Sequence, residues 1–236
     1  MELAINMSKH QGIFCIGVSY TPPYFYLAGF RFSNSSQCLF LHKTLSLDTK
    51  NYPSAIWTAS LPYASFNFNE TSANEVNKNH SLKFKKQIQY VGLKHGMHCW
   101  QSCEIQAEVF YEHLNVFGQS TARMHVLELD VLAIWEYAFI KSCQPFNIRL
   151  VLWPKDRYLI GILGRESMLW QVWYWPIDVN WWQALQASAK VMPAFISYLG
   201  HADMDAAIAG ESIMMEHDLA YALAIALAHR GIRHAL

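Results

Sequence analysis

The stretch Phe14-Cys15-Ile16-Gly17-Val18-Ser19-Tyr20-Thr21-Pro22-Pro23-Tyr24-Phe25-Tyr26-Leu27-Ala28-Gly29-Phe30-Arg31-Phe32 decides the fold, because two strand-forming runs flank a proline pair. Proline fixes φ and has no N–H, so Thr21-Pro22-Pro23 ends one strand and turns the chain into the next. A second break, Ser33-Asn34-Ser35-Ser36, precedes another apolar burst from Cys38 to Leu41, so a meander of three strands is expected. A fourth run, Ala55 to Leu61, leads into Pro62. Beyond it, Asn67 to Lys86 is polar and rich in Asn and Lys, and is expected to be a loop or a weak exposed helix.

Further along, Ile105, Val109, Phe110, Leu114 and Phe117 recur at helical spacing, which predicts an amphipathic helix from Cys103 to Phe117. Met124 to Leu129 reads as a strand, and Asp130 stands where an N-cap belongs, ahead of the periodic Val131, Leu132, Ile134, Trp135 and Ala138. Arg149 to Trp153, Tyr158 to Leu163 and Met168 to Trp175 repeat the meander pattern. Trp181 to Leu199 is helical in period, and Glu211 to Arg230 is the longest helical pattern, with Gly231 at the C′ position. Meander, helices, meander, helices implies α/β layering.

At 236 residues the chain suits one large domain or two subdomains sharing a core. Eighteen basic residues balance eighteen acidic ones, so the field expected of a nucleic-acid binder is missing and direct DNA binding is not expected. With 53% hydrophobic and 15% charged residues, much of the surface must be neutral or covered by a partner. Five cysteines, an odd number, fit a reducing compartment. The apolar run Ile13 to Val18 is too short for a signal-peptide core, and Leu219 to Ala228 is too short to cross a bilayer, so the chain is expected to be soluble and cytoplasmic.

His95, His98, Cys99 and Cys103 mix imidazole and thiol as a zinc site would, but the spacing is off the usual Cys-x2-Cys knuckle and no second cluster follows, so no metal is expected. Glu128 and Asp130 lie on one side of a strand, as an acid/base pair could, but the capping role of Asp130 explains it without catalysis. Six of the nine tryptophans lie between Trp153 and Trp182, with Trp173 and Trp175 on one strand face; a core packed with rings is expected over a partner groove.

Four stretches together resemble the actin-like pilus-assembly proteins called PilM and their shorter relatives ComA and HofM. They are Ile16-Gly17-Val18-Ser19 with the hairpin through Phe32; Ala59-Ser60-Leu61-Pro62; Phe110 to Tyr137 with Val126-Leu127-Glu128-Leu129-Asp130; and the helix Tyr221 to Arg230. The resemblance implies an α/β, actin-like (ribonuclease H-like) fold of two lobes, each a mixed β-sheet with helices. Residues 1–144 would form the first lobe with a reduced insertion, and 145–236 a shortened second lobe. Family members hold ATP and magnesium at two phosphate turns. Here Ser19, Tyr20 and Thr21, with the two prolines, fill the first turn; Ser19 stands where the family has Asp, and the prolines remove two N–H donors. The second turn, Trp153-Pro154-Lys155-Asp156-Arg157, lacks the family's Asp-x-Gly.

The resemblance therefore implies a scaffold of a type IV pilus or competence DNA-uptake machine, not an enzyme, with no bound cofactor. Its partner would be the N-terminal tail of a PilN-like inner-membrane protein, through which it would associate with the inner face of the inner membrane. Trp57, Tyr63, Phe66, Phe68 and Tyr90 are the expected partner-binding residues, placed by the resemblance in the first lobe. The alternatives are a small actin-fold ATPase or kinase, or a peripheral membrane protein held by exposed tryptophans.

Overall fold

The computed structural model describes residues 14–31, 34–48, 50, 52–61, 65–69, 84–94, 97–118, 124–142, 147–155, 157–166, 168–199, 210–213 and 219–235. The expected first meander is β1 (Phe14–Thr21), β2 (Tyr24–Arg31) and β3 (Asn34–Thr44). Thr21 pairs with Tyr24, so Pro22-Pro23 is the whole hairpin loop, joined by a cis peptide bond. β4 (Ile56–Leu61) runs parallel to β1, and β8 (Val126–Leu129) completes a sheet of order β3-β2-β1-β4-β8. The second meander, β9 (Arg149–Lys155), β10 (Tyr158–Arg165) and β11 (Met168–Pro176), is followed by β12 (Phe195–Leu199), parallel to β9, and β13 (Gly210–Ile213), parallel to β12. Its order, β11-β10-β9-β12-β13, repeats the first sheet strand for strand.

Between β4 and β8 the chain builds β5 (Ser65–Asn69), β6 (Phe84–Lys94) and β7 (Met97–Gln106), an antiparallel sheet of order β5-β7-β6, and then α1 (Ala107–Gly118). The polar stretch expected as loop or weak helix thus contains strand at both ends, and Cys103 lies in a strand. Pairing with β7 overrides the weak local preference. The remaining helices are α2 (Asp130–Lys141), α3 (Trp181–Ser188) and α4 (Ala222–Ala235), the last entered through a 3-10 turn at Leu219–Tyr221. The single helix expected from Trp181 to Leu199 is therefore α3 followed by β12. Pro193, between them, cannot continue a helix. Likewise Glu211 to Arg230 is not one helix, since β13 takes up its start. Among the described residues, no helix is long and apolar enough to cross a membrane.

Contacts divide the chain into two compact units: Met1–Leu61 with Glu112–Glu128 and Ala220–Leu236, and Pro62–Tyr111 with Leu129–Leu219. This differs from two consecutive lobes, 1–144 and 145–236. The cause is an exchange of helices. α2 follows the last strand of the first sheet but packs on β9 and β11, while α4 follows the last strand of the second sheet but packs on β1, β2 and β4. The inserted sheet also groups with the second unit, where β5 lies against β11.

In the first unit, strand alternation splits β1 between two faces. Ile16 and Val18 join Phe25, Leu27, Trp57 and Phe117 in one core layer. Gly17 faces the opposite way, against α4, where a Cβ would stand 1.9 Å from the Ala224 carbonyl oxygen. Gly231 is not a C′ residue but a helix-interior glycine, whose added Cβ would lie 2.5 Å from Thr58 Oγ1. The helix comes this close because Ala222, Ala224, Ala226 and Ala228 are small and buried. In the second unit, Leu150, Leu152, Leu159, Leu163, Trp175, Leu185 and Ile196 form the core, with Trp170, Trp173, Trp181 and Trp182 packed against it. Trp173 and Trp175 share a face and stack at 5.6 Å; Trp153 and Trp175 are buried, while Trp170, Trp173, Trp181 and Trp182 are only partly buried against the core.

Candidate functional site

The two turns at which the family resemblance would place phosphates are both hairpin ends of meanders. In the first, Ser19 pairs with Tyr26 inside the sheet and is only 2% exposed. Tyr20 is half-buried, its ring 4.7 Å from Phe25 and 6.3 Å from His113. Thr21 closes the hairpin against Tyr24, and the exposed tip is Pro22-Pro23, which carries no N–H to offer an anion. His113 is itself engaged, with Nε2 2.6 Å from the Ser60 carbonyl oxygen.

At the second turn, Lys155 pairs with Tyr158 across the hairpin, and its ammonium donates to Asp130 Oδ2 at 2.9 Å. Asp130 is 3% exposed, and its other oxygen accepts the Val131 N–H at 2.8 Å. The expected N-cap role is corrected here. Leu129 is the N-cap, without a side-chain bond, and Asp130 occupies the first turn of α2, where the helix dipole favours a carboxylate. Lys155 therefore already has an anion supplied by the protein, while Arg157 of the same turn is exposed. Glu128, two residues earlier, is bound elsewhere: Arg230 Nε of α4 donates to Glu128 Oε2 at 2.7 Å. The two carboxylates thus serve two ion pairs, one in each unit, rather than one acid/base pair. Neither partnership had a local signal in the sequence, since the partners are 25 and 102 positions apart.

The expected partner-binding residues separate. Trp57 is 2% exposed in the core of the first unit, with its backbone N–H donating to His125 Nδ1 at 3.1 Å. Its indole is a core ring, not a surface anchor. Phe66 and Phe68 lie on β5, opposite Cys103 and Gln101 of β7, and Tyr90 lies on β6 opposite Trp100, all in the second unit. Tyr63 lies outside the described residues. His98, Cys99 and Cys103 are positions of β7, and His95 lies outside the described residues. Among the described residues, no group of three or more His, Cys, Asp or Glu is arranged to hold a metal ion.

No family model matches the chain, and no curated protein matches it by sequence. Among solved structures, it is similar to a chain of the PilM-PilN type IV pilus biogenesis complex, with TM-score 0.62 and 9% identity over 92% of this chain and 98% of that one. It is also similar to the cytoplasmic domain of EpsL, an inner membrane component of the type II secretion system of Vibrio cholerae, with TM-score 0.56 and 7% identity over 94% and 96% of the two chains. The fold is actin-like. The expected α/β class, two lobes each with a mixed sheet and helices, is the one observed. A Bacteroides thetaiotaomicron protein with an actin-like ATPase fold and unknown function matches at TM-score 0.46 and 12% identity, over 80% and 83% of the two chains. In this actin-like frame, proline occupies the tip of one meander hairpin and an internal ion pair occupies the other.

Proposed function

We propose that the chain is an actin-fold scaffold of a pilus- or secretion-type envelope machine, which docks the N-terminal tail of a PilN-like inner-membrane protein on the cytoplasmic side and turns over no ATP. The observation that supports this reading is the near-complete overlap with a chain of the PilM-PilN type IV pilus biogenesis complex, 98% of that chain's length, in a chain whose own hairpin tip is Pro22-Pro23. A DNA-uptake machine of the competence type would use the same scaffold. The tail docks beside the inserted sheet, where Phe66, Phe68 and Tyr90 supply aromatic positions and a strand edge supplies backbone hydrogen bonds. Membrane association comes through the partner.

A pull-down with a synthetic tail, the first dozen or so residues of a PilN-like protein, tests this reading. The folded chain is expected to be captured, and Phe68→Ala to weaken capture by at least about 1 kcal/mol. No capture by folded protein would reject the proposal.

A further inference from the structure

Among the described residues, β6 stands at one edge of the inserted sheet. In the order β5-β7-β6, β7 lines one edge of β6, and among the described residues no strand lines the other. An edge of this kind presents unpaired N–H and C=O groups to any extended chain. The register of β6 is regular from Phe84, opposite Gln106, to Tyr90, opposite Trp100, and shifts between Tyr90 and Gly92. Phe84 to Tyr90 is therefore the straight part of the edge, long enough at about 3.3 Å per residue for an added strand.

The charge of this sheet departs from that of the whole chain. Lys85, Lys86 and Lys94 are on β6, whereas the acidic residue of the three strands is Glu104 alone. Lys86 holds the register position opposite Glu104, so the three strands carry three lysines against one glutamate in a chain that is neutral overall. Like charges along paired strands repel, which disfavours the β6 edge of a second copy. An acidic extended segment gains both the backbone bonds and the charge complementarity.

We propose that the outer edge of β6 docks an extended acidic peptide segment, which joins the inserted sheet as a fourth strand. β7 separates this edge from Phe66 and Phe68 of β5, while Tyr90, which ends the straight part of β6, is shared with the tail-docking positions of the proposed function.

The test titrates the full chain with a short labelled peptide of alternating glutamate and valine, and with its lysine-for-glutamate counterpart, by fluorescence anisotropy. The glutamate peptide is expected to bind at least about tenfold more tightly, and to lose affinity as salt rises. Hydrogen exchange should slow at the amides of Phe84 to Tyr90. The double variant Lys85→Glu, Lys86→Glu should reverse the preference between peptides, a gain of binding that unfolding could not produce. Lys85→Glu alone, which leaves Lys86 opposite Glu104, should weaken the glutamate peptide. Equal affinity for both peptides, or protection outside β6, would overturn the proposal and leave the lysines as a guard against edge-to-edge pairing.

Discussion

Gly17 shows how one missing side chain sets the spacing of a lobe. An added Cβ would stand 1.9 Å from Ala224 O and 2.5 Å from Ala228 N, both backbone atoms of α4 that no side-chain rotation can move. Gly17→Ala is expected to cost about 3 kcal/mol. Gly118→Ala, where nothing lies within 4 Å, should change stability by no more than about 0.5 kcal/mol. Urea unfolding of both variants checks this, and equal losses would contradict the close helix approach. Cys15, on the same side of β1, is fully buried, and burial pushes its thiol from 9.0 up to about 11. In the unfolded chain the thiol ionises first. Stability is therefore expected to fall as pH rises from 9 through about 11, and not below that window. Cys15→Ala should flatten the slope in urea titrations across that range; the partly buried Tyr52 and Tyr198 hydroxyls, also pushed up by desolvation, leave a residual slope of the same sign. An unchanged slope would place Cys15 in water.

Ion pairs at either end of a short peptide govern the next scale. Glu128, the penultimate residue of β8, is held by Arg230 of α4, and Asp130 begins α2 held by Lys155 at the end of β9. Removing one partner of a mostly buried pair strands the other. Asp130→Asn is expected to cost about 1–3 kcal/mol, less than for a fully buried pair because Lys155 keeps 33% of its side chain in water. Hydrogen exchange should rise near β9 and α2 in that variant, whereas Glu128→Gln should loosen α4 on its sheet; a variant that loosened neither element would contradict the ion-pair assignment. Both meanders were legible in the sequence because turn chemistry and alternating apolar runs are local. The inserted sheet was not, since Asn67, Lys85 and Lys86 carry weak strand preference and gain it from pairing with β7. The stretch Trp181 to Leu199 misled for the opposite reason. A buried strand such as Phe195–Leu199 and a buried helix share an apolar run, and only the pairing with β9 distinguishes them. Trp57 misled as a site residue because an aromatic ring reads the same in a core as on a surface. Trp57→Ala is expected to cost about 3–5 kcal/mol in stability, and thermal melts should show that loss whether or not any peptide is present.

The whole molecule is a duplicated topology whose halves are not sequential. Because α4 returns to the first sheet, a fragment of residues 1–144 would leave Gly17 and its neighbours uncovered. Such a fragment is expected to lack a cooperative unfolding transition by circular dichroism; a sharp transition would contradict the helix exchange. The actin-like frame itself was legible through the order of four weak motifs, while the fate of its phosphate turns depended on geometry. Among the described residues, Ser19 is withdrawn into the sheet, prolines form one tip and Lys155 is committed to Asp130 at the other, which takes these groups away from a triphosphate. Calorimetric titration of the full chain with magnesium-ATP is the most direct measurement of that claim. No saturable heat is expected at micromolar to millimolar nucleotide, whereas stoichiometric micromolar binding would contradict the account of phosphate turns that no longer hold a triphosphate.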